Sequence, residues 1–229
     1  EKIRGLGAKK RRVSRESDAR EYELLGVSGS MQRIRDQITK MGKTNATVLI
    51  RGESGVGKEL VARQLHYQST RKDGPFLPIN MAAIPETLME SELFGYRKGS
   101  FTGADEDSEG KFLASKGGTL FLDEVSEMPL NFQAKMLRVL QEFQILPLGA
   151  SQPLRVDCRV LAATNRDIEE YCREKKFRED LYFRLNTLEI IVPPLRERME
   201  DLPILVSHFL NIHGTSETRI PERSEERRV

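Results

Sequence analysis

Apolar positions in this chain follow two different periods. Short unbroken runs occur at Thr47–Arg51 (TVLIR), Phe76–Asn80 (FLPIN), Gly117–Glu124 (GGTLFLDE), Arg159–Asn165 (RVLAATN) and Thr187–Val192 (TLEIIV). Short, largely apolar and bounded by turn residues, they predict strands buried on both faces, as in a parallel sheet. Between them the period lengthens to that of a helix. Met31–Met41 places Ile34, Ile38 and Met41 on one face, with Ser30 as the expected cap. Glu59–Tyr67 turns Leu60, Val61 and Leu65 inward, and Glu86–Phe94 stops at Gly95. Leu130–Phe143 is strongly amphipathic, with Met136, Leu137, Leu140 and Phe143 expected inside. Phe177–Asn186 and Asp201–His213 also read as helices, the latter apolar at Leu202, Leu205, Val206, Phe209 and Leu210. Ile145–Asp157, with Pro147, Gly149 and Pro153, predicts a short hairpin or loop. Five strands alternating with helices give one three-layer α/β domain over residues 23–213. Residues 1–22 are basic and without period, which predicts a solvated linker rather than a nucleic-acid-binding arm. Residues 214–229 are charged and almost free of apolar positions, which predicts disorder.

Composition narrows this only slightly. The 229 residues are 38% hydrophobic and 31% charged, and no run is apolar enough to span a bilayer. A net charge of +2 gives no argument for a nucleic-acid surface. Cys158 and Cys172 lack metal-ligand spacing and read as free thiols of a reducing cytoplasm.

The candidate chemistry lies at the strand ends. Gly52–Lys58 reads GESGVGK, directly after the first strand and before a helix. In that context G-x-x-x-x-G-K is a phosphate cradle. The glycines Gly52, Gly55 and Gly57 let backbone N–H groups converge on an anion, with Glu53, Ser54 and Val56 between them. Lys58 reaches the β- and γ-phosphates, while Glu59 stands where many such loops offer a hydroxyl to magnesium. The strand ending in Asp123 and Glu124, if it lies beside the phosphate-loop strand, brings two carboxylates to the phosphates. Asp123 is then the magnesium ligand and Glu124 the group that orients or deprotonates water. The alternative is that the two acids cap the next helix. Thr164 and Asn165 end another strand, where they either sense a γ-phosphate or cap a turn. Arg178 and Arg184 are six apart and so do not share a helical face. Ion pairing with Glu179 and Asp180 and a functional role are equally compatible with the pattern. Tyr96–Asp107 (YRKGSFTGADED) has no period and carries an isolated Phe101 between glycines. That residue is either an exposed, used tip or one that folds back into the core. Asn165-Arg166-Asp167 is a poor match to a guanine-selecting motif, because Asp167 is one residue too close and Arg replaces Lys.

Taken together these stretches resemble the central AAA+ ATPase domain of bacterial enhancer-binding proteins, the activators of sigma-54 RNA polymerase. The resemblance covers roughly Leu25 to His213. It is carried by GESGVGKEL at Gly52–Leu60, ESELFG at Glu90–Gly95, GSFTGA at Gly99–Ala104 and GGTLFLDEV at Gly117–Val125. AATN at Ala162–Asn165, FREDLYFRLN at Phe177–Asn186 and PPLRER at Pro193–Arg198 complete it. It implies a P-loop NTPase fold with ATP and Mg2+ as cofactors, and a ring, expected to be a hexamer, that acts on the sigma-54 holoenzyme. By position, Asn80 resembles the residue that holds and releases the catalytic Glu124, and Asn165 the nucleotide sensor. Arg178 and Arg184 resemble arginine fingers that enter a neighbouring subunit's site, which turns their reading toward function. Gly99, Ser100, Phe101, Thr102, Gly103 and Ala104 resemble the GAFTGA surface that touches sigma-54, with Ser100 in place of Ala. The family's own phosphate loop carries Glu after Lys, so Glu59 conforms. The family's helical lid has no counterpart in this stretch. DNA is expected to be contacted only through a C-terminal helix-turn-helix domain outside this sequence, and no membrane contact is expected.

Overall fold

The computed structural model describes residues 23–213, so the expectations for residues 1–22 and 214–229 lie outside the described residues. Five parallel strands form the sheet: β1 (Val48–Arg51), β2 (Phe76–Asn80), β3 (Thr119–Asp123), β6 (Arg159–Thr164) and β7 (Leu188–Ile191). Their spatial order is β2-β3-β6-β1-β7. A separate antiparallel hairpin pairs β4 (Gln144–Ile145) with β5 (Leu154–Arg155), as the Pro- and Gly-containing stretch predicts.

Alternation along each strand divides the core into two halves. Leu49, Leu120, Leu122, Val160 and Ala162 face one side, and Val48, Ile50, Phe121, Leu161 and Ala163 the other. The first side is covered by α3 (Glu86–Phe94), α4 (Gly110–Ala114), α5 (Leu130–Glu142), α6 (Ile168–Arg173) and α7 (Glu179–Leu185). The second is covered by α1 (Gly29–Gly42) and α2 (Lys58–Tyr67). That is the three-layer arrangement expected of strands apolar on both faces. A final helix, α8 (Leu202–His213), follows β7, and the apolar Phe209 and Ile212 on it are exposed.

Several local expectations need correction. Ser28, not Ser30, caps α1: its hydroxyl accepts from the Met31 N–H at 3.3 Å, and Ser30 lies within the first turn. Phe143 does not turn inward. It ends α5 in a left-handed conformation (φ 50°) and is 47% exposed, because the reversal into β4 swings its side chain off the buried stripe. The helix expected from Phe177 begins at Glu179, since Arg178 is extended (φ −81°, ψ 130°) while Phe177 packs in the core. The periodic pattern marks neither α4 nor α6; the local signal of α6 is Asp167, whose carboxylate accepts from the Glu170 N–H at 3.1 Å as an N-cap.

A buried arginine ties the back of the sheet to two helix ends. Arg159 donates to the carbonyls of Met41 (2.9 Å), Ala46 (3.3 Å), Gly42 (3.4 Å) and Leu65 (3.5 Å). Burial pushes its guanidinium down to about 10. The helix-terminal carbonyls compensate part of that cost through their partial negative charge. Arg159→Met is therefore expected to destabilise the fold by about 3 kcal/mol, read from urea unfolding, because four carbonyls lose a donor together.

Candidate nucleotide site and effector loop

Parallel strands bring their carboxyl ends to one edge, and the candidate residues gather there. Gly57, the N-cap of α2, adopts φ 101°, and no side chain caps that helix. The first-turn N–H groups of α2 are thus left for an anion. Gly52 is needed for contact: a Cβ there would sit 2.7 Å from the Val192 carbonyl. Lys58 opens α2 and is buried, with its ammonium folded back onto the loop. Nζ donates to the carbonyls of Gly52 (3.0 Å) and Glu53 (3.3 Å) and to Glu124 Oε1 (3.3 Å). Glu53, Ser54 and Gly55 are exposed, and Glu59 points away, accepting from Arg63 one turn on at 2.9 Å.

The two acids lie at the carboxyl end of β3 as expected, but β3 is not beside the phosphate-loop strand: β6 lies between β3 and β1, and the acids reach the loop across its end. They are not merely caps. Glu124 is held in a left-handed conformation (φ 53°) and has no capping bond to the helical turn that follows. Its Oε1 meets Lys58, and its Oε2 accepts from the Asn165 N–H at 3.1 Å. One carboxylate therefore spans the phosphate loop and the end of β6. A non-glycine residue in this region of backbone space is uncommon outside functional or strongly constrained sites. Asp123 accepts from the Glu124 N–H at 3.0 Å. Burial first, then the charge of Glu124, raises its carboxyl above the ordinary range.

Other candidate residues are distributed less simply. Asn80 sits beside Asp123 in register, but its side chain accepts from the Ala82 N–H at 2.9 Å and does not hold Glu124. Thr164 and Asn165 do not act as a pair. The Thr164 hydroxyl is buried between Ser126 Oγ (3.2 Å) and the Arg166 N–H (3.0 Å), whereas Asn165 is exposed and reaches Glu124 through its backbone. Arg178 forms a two-pronged pair with Asp180 at 3.0 and 2.8 Å. Arg184 instead donates twice to the Leu140 carbonyl, at 2.9 and 2.6 Å, with its guanidinium 6.0 Å from the Phe143 ring. Neither arginine bonds to the phosphate loop, to Asp123 or to Glu124 of its own chain.

The GSFTGA segment forms a compact lobe. Tyr96 bridges to Ser108 and Leu148 at its base. The Gly99 N–H donates to the Ala104 carbonyl at 2.8 Å. Phe101 is neither free nor swallowed by the core: it packs edge-on against Tyr96 at 5.0 Å and is 43% exposed. Thr102 and Gly103 are exposed at the tip. Ala104 is buried (5% exposed), so it anchors the lobe rather than forming its outer surface.

Sequence reasoning missed the groups that fasten this edge. Arg51, at the end of β1, donates to Glu169 (2.8 Å) and Glu189 (3.1 Å). Beyond β7, Arg196 pairs with Glu53 at 2.8 Å, Arg198 donates to the Val56 carbonyl at 2.9 Å, and buried Asp201 accepts from the Val27 and Ser28 N–H groups. The motif PPLRER marks this strap, but spacing alone does not reveal its partners.

Residues 24–191 match the family described as the sigma-54 interaction domain. The chain belongs to that family. Among its relatives, the Nif-specific regulatory protein of Herbaspirillum seropedicae is 50% identical over 90% of this chain and 38% of its own length. The DNA-binding transcriptional regulator NtrC of Rhizobium meliloti is 50% identical over 90% of this chain and 43% of its own. The crystal structure of NtrX from Brucella abortus in complex with ADP is 38% identical, with a TM-score of 0.80, covering 92% of this chain and 45% of that one. The chain thus spans about two fifths of the length of these relatives. The fold, a five-stranded parallel sheet with the glycine loop between β1 and α2, is shared with the NtrX structure. Among the described residues no helix is long and apolar enough to cross a membrane, and no group of three or more His, Cys, Asp or Glu could hold a metal ion.

Proposed function

We propose that this sigma-54 interaction domain, over residues 23–213, hydrolyses ATP to ADP and phosphate in a ring of copies. In this reading it uses Phe101 and Thr102 to remodel sigma-54 RNA polymerase holoenzyme for promoter opening, in the cytoplasm. The observation that carries the reading is Glu124, whose carboxylate lies between the phosphate-loop Lys58 and the Asn165 N–H.

ATP enters with its phosphates on the N–H groups of Gly52–Glu59, and its charge draws Lys58 away from the acids. Glu124, released from Lys58, accepts a proton from water aligned with the γ-phosphate. Asn165, bonded to the same carboxylate, registers whether the phosphate is present. Mg2+ supplies charge neutralisation across the phosphates when bound. Asp123, a half-buried hard carboxylate beside Glu124 at the carboxyl end of β3, would be the residue to hold it. That NtrX of Brucella abortus has been crystallised with ATP and with ADP supports a nucleotide at this edge. Arg178, the extended residue just before α7, and Arg184, within α7, bond to Asp180 and to the Leu140 carbonyl and not to their own phosphate loop, which supports action on a neighbouring copy. DNA is contacted by another part of the protein.

The test is the Mg2+-dependent ATPase rate per protomer across a wide range of protein concentration. Specific activity should rise steeply as rings assemble. A flat trace near zero with nucleotide still bound would instead identify a module that binds nucleotide and sigma-54 without turnover.

A further inference from the structure

Arg198 is an unusual residue to bury. It is 7% exposed, yet its polar contacts are few: Nη2 donates to the Val56 carbonyl at 2.9 Å and Nη1 lies 2.8 Å from Met31 Sδ. Its Nε is buried without a partner. Burial pushes the guanidinium down, and the charge of Asp201 opposes that shift. Stability alone gives little reason to keep such a group.

What Arg198 does hold is a peptide of the phosphate loop that is able to turn over. The Val56–Gly57 peptide turns through ψ of Val56 and φ of Gly57 (φ 101°), and glycine accepts the backbone change that a peptide flip requires. In a planar trans peptide the carbonyl of Val56 and the N–H of Gly57 point in opposite directions. Fixing the carbonyl toward Arg198 therefore fixes the N–H toward the other side. Three residues on, buried Asp201 accepts from the Val27 N–H (2.6 Å), the Ser28 N–H (2.7 Å) and Ser28 Oγ (2.8 Å). The strap is thus anchored to the start of α1, whose Met31 also touches Arg198.

We propose that Arg198 is a positioning residue for the phosphate loop, locking the Val56–Gly57 peptide so that the Gly57 N–H is held ready for a phosphate. This rests on the nucleotide reading above. It distinguishes Arg198 from Arg196, whose exposed pair with Glu53 is weak by its exposure.

The experiment measures ADP and adenosine affinity by competition against a fluorescent ADP, for the wild-type chain and for Arg198→Met and Arg198→Lys. ADP affinity should fall about tenfold in Arg198→Met, the effect of one charge-assisted bond, with adenosine affinity unchanged. Arg198→Lys, which keeps the charge but not the two-armed reach, should fall between and decides the matter if Arg198→Met does not fold. Unchanged ADP affinity, or equal losses for ADP and adenosine, would overturn the proposal. A wild-type chain that binds no ADP would overturn the nucleotide reading and this inference with it.

Discussion

Glu124→Gln should lower ATP turnover by about 10²–10⁴-fold, the usual loss on removing a general base, while ATP binding persists. The basis is the position of this one carboxylate, 3.3 Å from Lys58 Nζ and 3.1 Å from the Asn165 N–H. Without nucleotide, Glu124 is the counter-ion of Lys58, so incoming phosphates compete with it for the ammonium. A neutral glutamine keeps the shape and the acceptor for Asn165 but releases Lys58. ATP should then bind at least as tightly as in the wild type, while the attacking water lacks a base. Paired measurements of phosphate release and of ATP affinity separate the two effects. Turnover within a few-fold of wild type would remove Glu124 from the chemistry. Parallel loss of affinity and rate would make it a residue of the binding site instead.

The second large effect is expected at Arg184. Arg184→Ala should reduce turnover by about 10³-fold or more, as removal of an arginine finger does elsewhere, with little change in folding stability. Its guanidinium is turned away from its own phosphate loop and held by the Leu140 carbonyl at 2.9 and 2.6 Å, so the chain presents it already oriented. If it serves a neighbouring copy, two inactive variants should complement each other. In mixed rings of Arg184→Ala and Glu124→Gln, some interfaces join an intact Glu124 to an intact Arg184. Activity should therefore reappear on mixing and peak near equal proportions. No recovery, in rings shown to be mixed by cross-linking, would place the finger in its own subunit's site or outside catalysis. Arg178, at the other end of α7 and paired with Asp180, is open to the same assay.

The alternation of short apolar runs with helical stretches determined the strands, the layers and the position of the chemistry, because both periods are local properties of the backbone. All five strands of the sheet lie where the pattern predicts them, within a residue or two at their ends. So does the hairpin that follows α5. The phosphate loop and the acid pair were equally legible, since strand, glycine loop and helix are consecutive in the chain. What failed locally were chain reversals. Phe143 fits the apolar stripe of α5 but lies at its left-handed end, and Ser30 is a plausible cap that lies just inside the real one, Ser28. Only the tertiary structure decided which polar groups meet: Glu124 with Lys58 and Asn165, Arg159 with the ends of α1 and α2, and Arg198 with Val56. Those partners are separated by 41 to 142 residues. No periodicity encodes such a contact; it exists because parallel strands deliver distant carboxyl ends to one edge, and the strap after β7 crosses the loop that starts after β1.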